Sequence, residues 1–402
     1  MTLALNEISP QVRAMGSSLQ SHLARRDEAK ATLLALLKEY STAYSALNDR
    51  VVRAAQVQQQ QRFDWVGAAP TNEPLAEAIS LPASVKTITV IASDGSQILP
   101  DQHAITLYYL INVGSIVYQH GSGLKPITHN PKPVLCYEPD DVLDDQGRVI
   151  STGEVNVRRD LAELQVLADL APQYIKPDGE PVITLMDGQL NLRVIDLSYQ
   201  RQQECQRAYI KMLNQLRDSG ALMAAYIDRP RSTFVISLMQ LASLDIKAIN
   251  ESSLRHNPFR HLTDIDIFQF LGPGERSAMF SLKAKGMDSY SQARQATHFF
   301  YLNVSPSLNL PILARVEVPA WLVTHSSLID TLHATLVRQA RLAGNYPYVL
   351  ARAHELAIIS PEERQAVEMM LAVEMRRQGI LPHLSAKQSN KNLLTGRESF
   401  RL

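Results

Sequence analysis

Only two cysteines, Cys136 and Cys205, occur in 402 residues; they stand far apart, with no CxxC pair and no Cys/His cluster. Their number excludes a disulfide framework, and their isolation argues against a structural zinc site, which needs closely spaced thiolates or imidazoles. An excess of one charge is missing too, since Lys+Arg and Asp+Glu are both 40 and the formal net charge is +0. This excludes a polybasic binder whose whole surface attracts phosphate, but leaves room for a basic groove beside an acidic site. No stretch approaches the ~18 apolar residues of a membrane span. The opening MTLALNEISPQVRAMG lacks a basic segment followed by a long apolar core, so no signal peptide is expected. A cytoplasmic protein without membrane association is the expectation.

What is present is ordinary for a globular protein: 45% hydrophobic and 20% charged residues. The length suits one large domain with appendages, or two domains. From Ser9 to Gln61 there is no proline after Pro10, and Leu33, Leu37, Tyr40, Tyr44 and Leu47 recur at three- and four-residue steps. This predicts a long helix or helical hairpin, a packing or dimerisation arm over residues 1–70. After Pro82 the texture changes. VKTITVIAS is β-branched and predicts a strand that turns at Asp94-Gly95-Ser96, and His103–Gln119 predicts one or two more strands with a bend at Gly114. A helix over about Val155–Leu170 and a strand PVITLMDG follow, then a helix, the strand LMAAYID and the turn Arg229-Pro230-Arg231. Strands are expected near Ile265–Phe270, Ser277–Leu282, His298–Leu302 and at ILARVEVP, and helices at 326–343, 348–359 and from Pro361. Such alternation predicts an α/β domain, residues 71–385, with a mixed sheet flanked by helices. Residues 386–402 read as a basic, mobile tail.

Three Asp-Gly pairs occur, at Asp94, Asp178 and Asp187. The ordinary meaning of Asp-Gly is a turn, and Asp178 in KPDGEP fits it. Asp94 and Asp187 differ because each closes an apolar run, where glycine allows close approach. Two carboxylates on neighbouring strand ends repel unless a cation lies between them, and a divalent metal is the natural solution. The intervening helix offers Glu154, Asp160, Glu163 and Asp169. Arg159 and Glu163 are four apart, the spacing of a surface ion pair, yet Glu163 also lies among Leu161, Leu164 and Leu167. In Tyr346-Pro347-Tyr348-Val349-Leu350-Ala351-Arg352-Ala353-His354, Pro347 marks a helix start. His354 lies about two turns inside on a small-residue face, as a packed histidine or a metal ligand.

Together these pieces resemble the NurA nuclease pattern, over about Ile88–Ile359: DGS after a first strand, a Glu-bearing helix, DG after a second strand, and a C-terminal YPYxLxxAH helix. The resemblance implies a ribonuclease H-like core with Asp94, Glu163 and Asp187 as acidic metal-site residues, completed by Tyr346 and His354. It also implies a manganese-dependent DNA nuclease, with magnesium as the alternative ion. The implied activity is a 5′-to-3′ exonuclease that also cuts single strands, working as a homodimer with a HerA-type hexameric translocase in end resection at double-strand breaks. Two features depart from the pattern: the long QYIKPDGEP loop, which keeps Glu154 open as the third carboxylate, and Gln189 where a small residue is commoner. In chemical terms, ions held by Asp94 and Asp187 would polarise a phosphate, with Glu163 and His354 managing the second ion or the water's protons. Arg229 and Arg231 offer contacts to a DNA backbone. Two other functions fit the same residues: a phosphatase of small esters on the same fold, and a non-catalytic DNA-binding assembly subunit.

Overall fold

The computed structural model describes residues 5–102, 104, 106–129, 132–177, 179–194 and 196–380; Asp178 and the 386–402 tail lie outside them. In chain order the strands are β1 (Gly67–Pro70), β2 (Ile88–Ile98), β3 (Tyr109–His120), β4 (Ile127–His129), β5 (Val134–Cys136) and β6 (Val182–Asp187). Then come β7 (Leu222–Asp228), β8 (Phe280–Lys283), β9 (Thr297–Asn303) and β10 (Leu313–Pro319). The chain forms two compact units that alternate along the sequence. One is Met1–Val85, Gly188–Leu190 and Ala224–Pro347; the other is Lys86–Asp187, Asn191–Met223 and Tyr348–Leu402. Among the described residues no helix is long and apolar enough to cross a membrane.

The first unit is built on antiparallel strands in the order β1-β8-β9-β10-β7. Two N-terminal helices, Leu5–Glu39 and Tyr44–Gln61, form the expected hairpin. Their stripe is not left bare. Leu33, Leu37, Leu47, Val51, Ala54 and Val57 enter the same core as Phe268, Phe280, Phe299 and Tyr301, and Phe268 stacks on Tyr301 at 4.9 Å. Leu47 is 0% exposed, so Leu47→Ala is expected to lower unfolding free energy by about 2–5 kcal/mol in a urea titration. A loss under ~1 kcal/mol would show that the hairpin is packed only loosely on this core.

The expected strand at Ile265–Phe270 is a correction: Asp264–Ile267 is a helical turn. The Asp266 carboxylate accepts the Thr263 N–H at 2.7 Å, a local bond that favours the helical start over extension. The Ser326–Leu342 helix buries His333 completely. Its Nε2 donates to the Gly274 carbonyl at 2.7 Å, and its Nδ1 has no hydrogen-bond partner. Burial above all holds this imidazole down, to a pKa of about 4. A histidine depressed in the fold stabilises it in full above its unfolded value near 6.5, and this stabilisation fades as pH falls towards 4. The amount lost is on the order of 3 kcal/mol. Urea midpoints measured from pH 7 to 4 should therefore fall less steeply for His333→Phe than for the wild type; parallel curves would contradict the assignment.

In the second unit β2 pairs with β3 antiparallel over eleven register positions, Ile88↔His120 to Ile98↔Leu110, and with β6 in parallel from Thr89↔Val182 to Ser93↔Met186. The strands β4 and β5 add to β3. This is the mixed sheet with flanking helices that the sequence predicts. Residues 88–93, apolar apart from Thr89 and Ser93, are all buried, as expected of a strand covered on both faces. Two of the helices are Thr152–Tyr174, capped by Ser151 accepting the Glu154 N–H, and Tyr199–Ser219, stopped by Gly220 at φ 90°. The others are Tyr348–Ala357 and Pro361–Arg377.

Two expectations in this unit are corrected. The backbone does not turn at Asp94-Gly95-Ser96 but stays extended to Ile98, because each of these residues is paired with β3, Asp94↔Gly114 to Ser96↔Asn112. Gly114 is no bend either; it lies inside β3. A Cβ there would meet Leu356 Cβ at 2.7 Å, the Ala353 carbonyl at 2.8 Å and the Ala357 nitrogen at 2.8 Å. The missing side chain is what lets the Tyr348–Ala357 helix lie directly on the strand.

Candidate active site

Asp94 takes its place from register. The parallel ladder of β2 with β6 ends at Ser93↔Met186, so Asp94 and Asp187 are the next residues on two adjacent strands. Side chains at matched positions of neighbouring strands leave the sheet on the same face. Asp187 is the exposed last residue of β6, and Gly188 at φ 93° turns the chain away. Beyond it, in the first unit, the Gly188 N–H donates to the Tyr226 carbonyl at 2.9 Å and the Leu190 N–H to Glu317 Oε2 at 2.8 Å.

The Thr152–Tyr174 helix brings Glu163 to this face. Leu164, Leu167, Ala168 and Ala171 bury its apolar side, and the Ser93 hydroxyl donates to the Glu163 carbonyl at 2.9 Å, fixing helix to strand. Glu163 is only 4% exposed. Gly95 makes the room, since a Cβ there would lie 2.6 Å from Glu163 Oε1 and 2.7 Å from Arg159 Cγ. The sequence pointed to close approach at this glycine; what approaches is the carboxylate and the arginine stem.

The expected i,i+4 pair exists, but it is not a surface feature. Arg159 Nε lies 3.1 Å from Glu163 Oε1, off line for a hydrogen bond, so both atoms are buried without a hydrogen-bond partner. The guanidinium also pairs with Asp160 Oδ1 at 2.9 Å and donates to Gln97 Oε1 at 3.0 Å, while Gln97 donates to Asn156 Oδ1 at 2.9 Å. Burial, then Asp160, raise the Glu163 pKa well above the ordinary carboxylate value; Arg159 opposes them, and Asp94 and Asp187 add to the rise. Burial raises Asp160 as well. Burial works against the Arg159 cation, but Glu163 and then Asp160 outweigh it and raise its pKa. Carboxylates thus crowd together in a partly dry place, with Arg159 paired to Glu163 and Asp160 and Arg193 also acting on Asp160.

His354 stands over Asp94, Nδ1 2.6 Å from Oδ2. An ionised carboxylate only accepts, so Nδ1 carries the proton, leaving the Nε2 lone pair to face outward on a side chain that is 65% exposed. It is not a packed core histidine. The Asn112 amide donates to the Ala357 carbonyl at 2.8 Å, and the Ser96 hydroxyl donates to the same atom, anchoring the end of this helix.

Tyr346 is counted with the first unit, where its ring meets Tyr226 edge-on at 5.5 Å. The helix begins at Tyr348, so helical phase does not relate Tyr346 to His354. Glu154, the alternative acid, is paired with Arg158 at 2.8 Å. Arg229, at φ 42°, is exposed and 3.8 Å from Asp228, and Arg231 is exposed in the same turn. Sequence reasoning passed over Arg159 as a member of the cluster, and Gln97 and Asn156 altogether. For Asn156 and Arg159 the signal was helical spacing, since each lies three or four residues from Asp160 or Glu163 on one face of the helix; Gln97, on β2, gave none.

Among the described residues no three His, Cys, Asp or Glu side chains stand together closely enough to hold an ion as arranged. The donors suit a hard divalent cation nevertheless: carboxylate oxygens, one imidazole nitrogen, and a buried Glu163 Oε1 without a hydrogen-bond partner.

The sequence matches the family model of the NurA domain over residues 88–359. No curated protein matches it. Among solved structures, a crystal structure of NurA is matched at 11% identity and a TM-score of 0.39, covering 74% of this chain and 90% of that chain. NurA bound to dAMP and manganese is matched at 11% identity and a TM-score of 0.30, covering 86% and 95%. LC9-RNase H1, a type 1 RNase H, is matched at 7% identity and a TM-score of 0.21, covering 39% and 71%.

Proposed function

The chain belongs to the NurA family, and on that premise we propose that it is a metal-dependent DNA nuclease whose Asp94, Glu163, Asp187 and His354 hold manganese, or magnesium in its place. The family match spans all four residues. The observation that carries the reading is Glu163, a carboxylate sealed beside Asp94, Asp160 and Asp187 with an oxygen lacking any hydrogen bond. A bound divalent ion there supplies Lewis acidity to a scissile phosphate and acidity to a water.

The chain's own groups do the rest. Asp94 and Asp187 present carboxylates from adjacent strands, and Asp94 orients His354 through Nδ1, leaving Nε2 as a ligand or as the acceptor of the attacking water's proton. Tyr346 orients a phosphate. The exposed Arg229 and Arg231 attract the DNA backbone, which makes affinity salt-dependent. By family, the activity extends to 5′-to-3′ exonuclease and single-strand endonuclease action with a HerA-type hexameric translocase, in cytoplasmic end resection. The N-terminal part of the first helix, with exposed Leu5, Val12 and Met15, serves as the homodimer arm.

The test is incubation with DNA labelled at either end, with and without Mn²⁺. Cleavage only with the ion, starting from 5′ ends, is expected. Hydrolysis of a small phosphate ester without DNA cleavage would move the protein to the phosphatases, and DNA binding without either would make it an assembly subunit. His354→Ala should leave the metal-free melt within about 1 kcal/mol, since an exposed pair contributes little. It should shift the Mn²⁺ titration of the rate to higher concentration by roughly 10–100-fold, the usual penalty for disturbing a metal shell. An unchanged titration would remove His354 from the site.

A further inference from the structure

The acidic cluster contains its own cation. We propose, resting on the metal-site reading above, that Arg159 is the counter-ion of the metal-free protein, holding Glu163 in place and competing with the divalent ion for it. Three observations carry this. Arg159 is the cation paired with both Glu163, at 3.1 Å, and Asp160, at 2.9 Å. Its pairing with Glu163 is incomplete, an ion contact without a hydrogen bond, so this partner is the one it gives up at least cost. Its other contacts, Asp160 and Gln97, do not depend on Glu163, and Gln97 is steadied in turn by Asn156. When a divalent ion takes Glu163, Arg159 stays tethered by Asp160 and Gln97. Gly95 supplies the gap in which both arrangements fit.

The physical logic is charge conservation in a place that water reaches poorly. Asp160, Asp94 and Asp187 raise the cost of ionising Glu163, and Asp94 raises that of Asp160; some cation must be present for the fold to keep Glu163 and Asp160 charged beside them. A guanidinium serves without an ion, and its removal leaves buried charge unpaired. An ion that arrives must displace it from Glu163, so Arg159 weakens metal binding while protecting the empty protein.

The test uses the full chain and does not depend on cleavage. Melting is followed without metal, and Mn²⁺ binding is followed by loss of the free-ion electron paramagnetic resonance signal. Arg159→Gln is expected to melt several degrees lower without metal and to bind Mn²⁺ about tenfold more tightly. Arg159→Lys, which keeps the charge, should stay near the wild type in affinity. If Arg159→Gln folds poorly, the cycle with Glu163→Gln decides: the melting penalty of Arg159→Gln should be clearly smaller in the Glu163→Gln background, where only the Asp160 and Gln97 contacts are left to lose. Affinity unchanged or weakened by Arg159→Gln, or a melting penalty undiminished in the Glu163→Gln background, overturns the inference and leaves the metal site standing. Absence of Mn²⁺ binding by the wild type overturns the metal reading and this inference with it.

Discussion

Asp94→Asn protein is expected to fold and to cut DNA at least on the order of a thousandfold more slowly at saturating Mn²⁺. The size follows from what a metal-held phosphate gains: several kcal/mol of charge stabilisation, at about 1.4 kcal/mol per factor of ten. Asp94 is the residue through which the parts of the site meet. It stands one step past the last paired position of β2 and β6, beside Asp187, and it fixes His354 through the 2.6 Å contact. Asparagine keeps the shape and removes the charge. Stability should hold or rise, because Asp94 is one of the charges that push Glu163 upward, and removing it relieves that repulsion in the metal-free state. Single-turnover cleavage together with a metal-free melt decides. A folded variant cutting at near-normal rate would show that chemistry is carried elsewhere.

Gly114→Val should be the most damaging change at a position that touches no reacting atom. Its first added carbon already lies 2.7–2.8 Å from Leu356, the Ala353 carbonyl and the Ala357 nitrogen, two of them rigid backbone atoms. Relief requires the Tyr348–Ala357 helix to lift off β3, with loss of the Asn112 and Ser96 bonds to the Ala357 carbonyl. Overpacking of this kind costs about 1–3 kcal/mol, occasionally more. The helix also carries His354, so the Mn²⁺ dependence of cleavage should worsen along with the urea midpoint. Unchanged midpoint and unchanged metal dependence together would mean that the helix does not rest on Gly114.

The elements that carry the site were legible because they are long or strongly patterned. VITLMD, the Glu163 helix and the helix opened by Pro347 are each decided by local sequence. The two misreadings around Asp94 share one cause. Asp-Gly and a lone glycine in a strand signal turns and bends when only near neighbours are counted. Here β3 pairs through Asp94-Gly95-Ser96, and a helix from far along the chain lies over Gly114; both effects are tertiary. Ile265–Phe270 failed the other way, since its apolar residues suit a strand while Thr263 and Asp266 start a helical turn. The sequence placed Asp94 and Asp187 at strand ends and Glu163 on the helix between them, but did not reveal the burial of Glu163 with Arg159. An i,i+4 spacing says that two side chains can meet, not whether water is there when they do.

The alternation of the two units along the chain sets an order of events in synthesis. The β2–β3 hairpin leaves the ribosome with the Gly114 face bare, and its covering helix, Tyr348–Ala357, is made only after the whole Ala224–Pro347 segment of the other unit. At roughly 5–20 residues per second the wait is on the order of tens of seconds. Through that interval a nascent chain displays an uncovered apolar strand pair and an acidic cluster without His354. His354 therefore reaches Asp94 only after the Ala224–Pro347 segment has been made, and the Gly114 face of the strand pair waits uncovered until then.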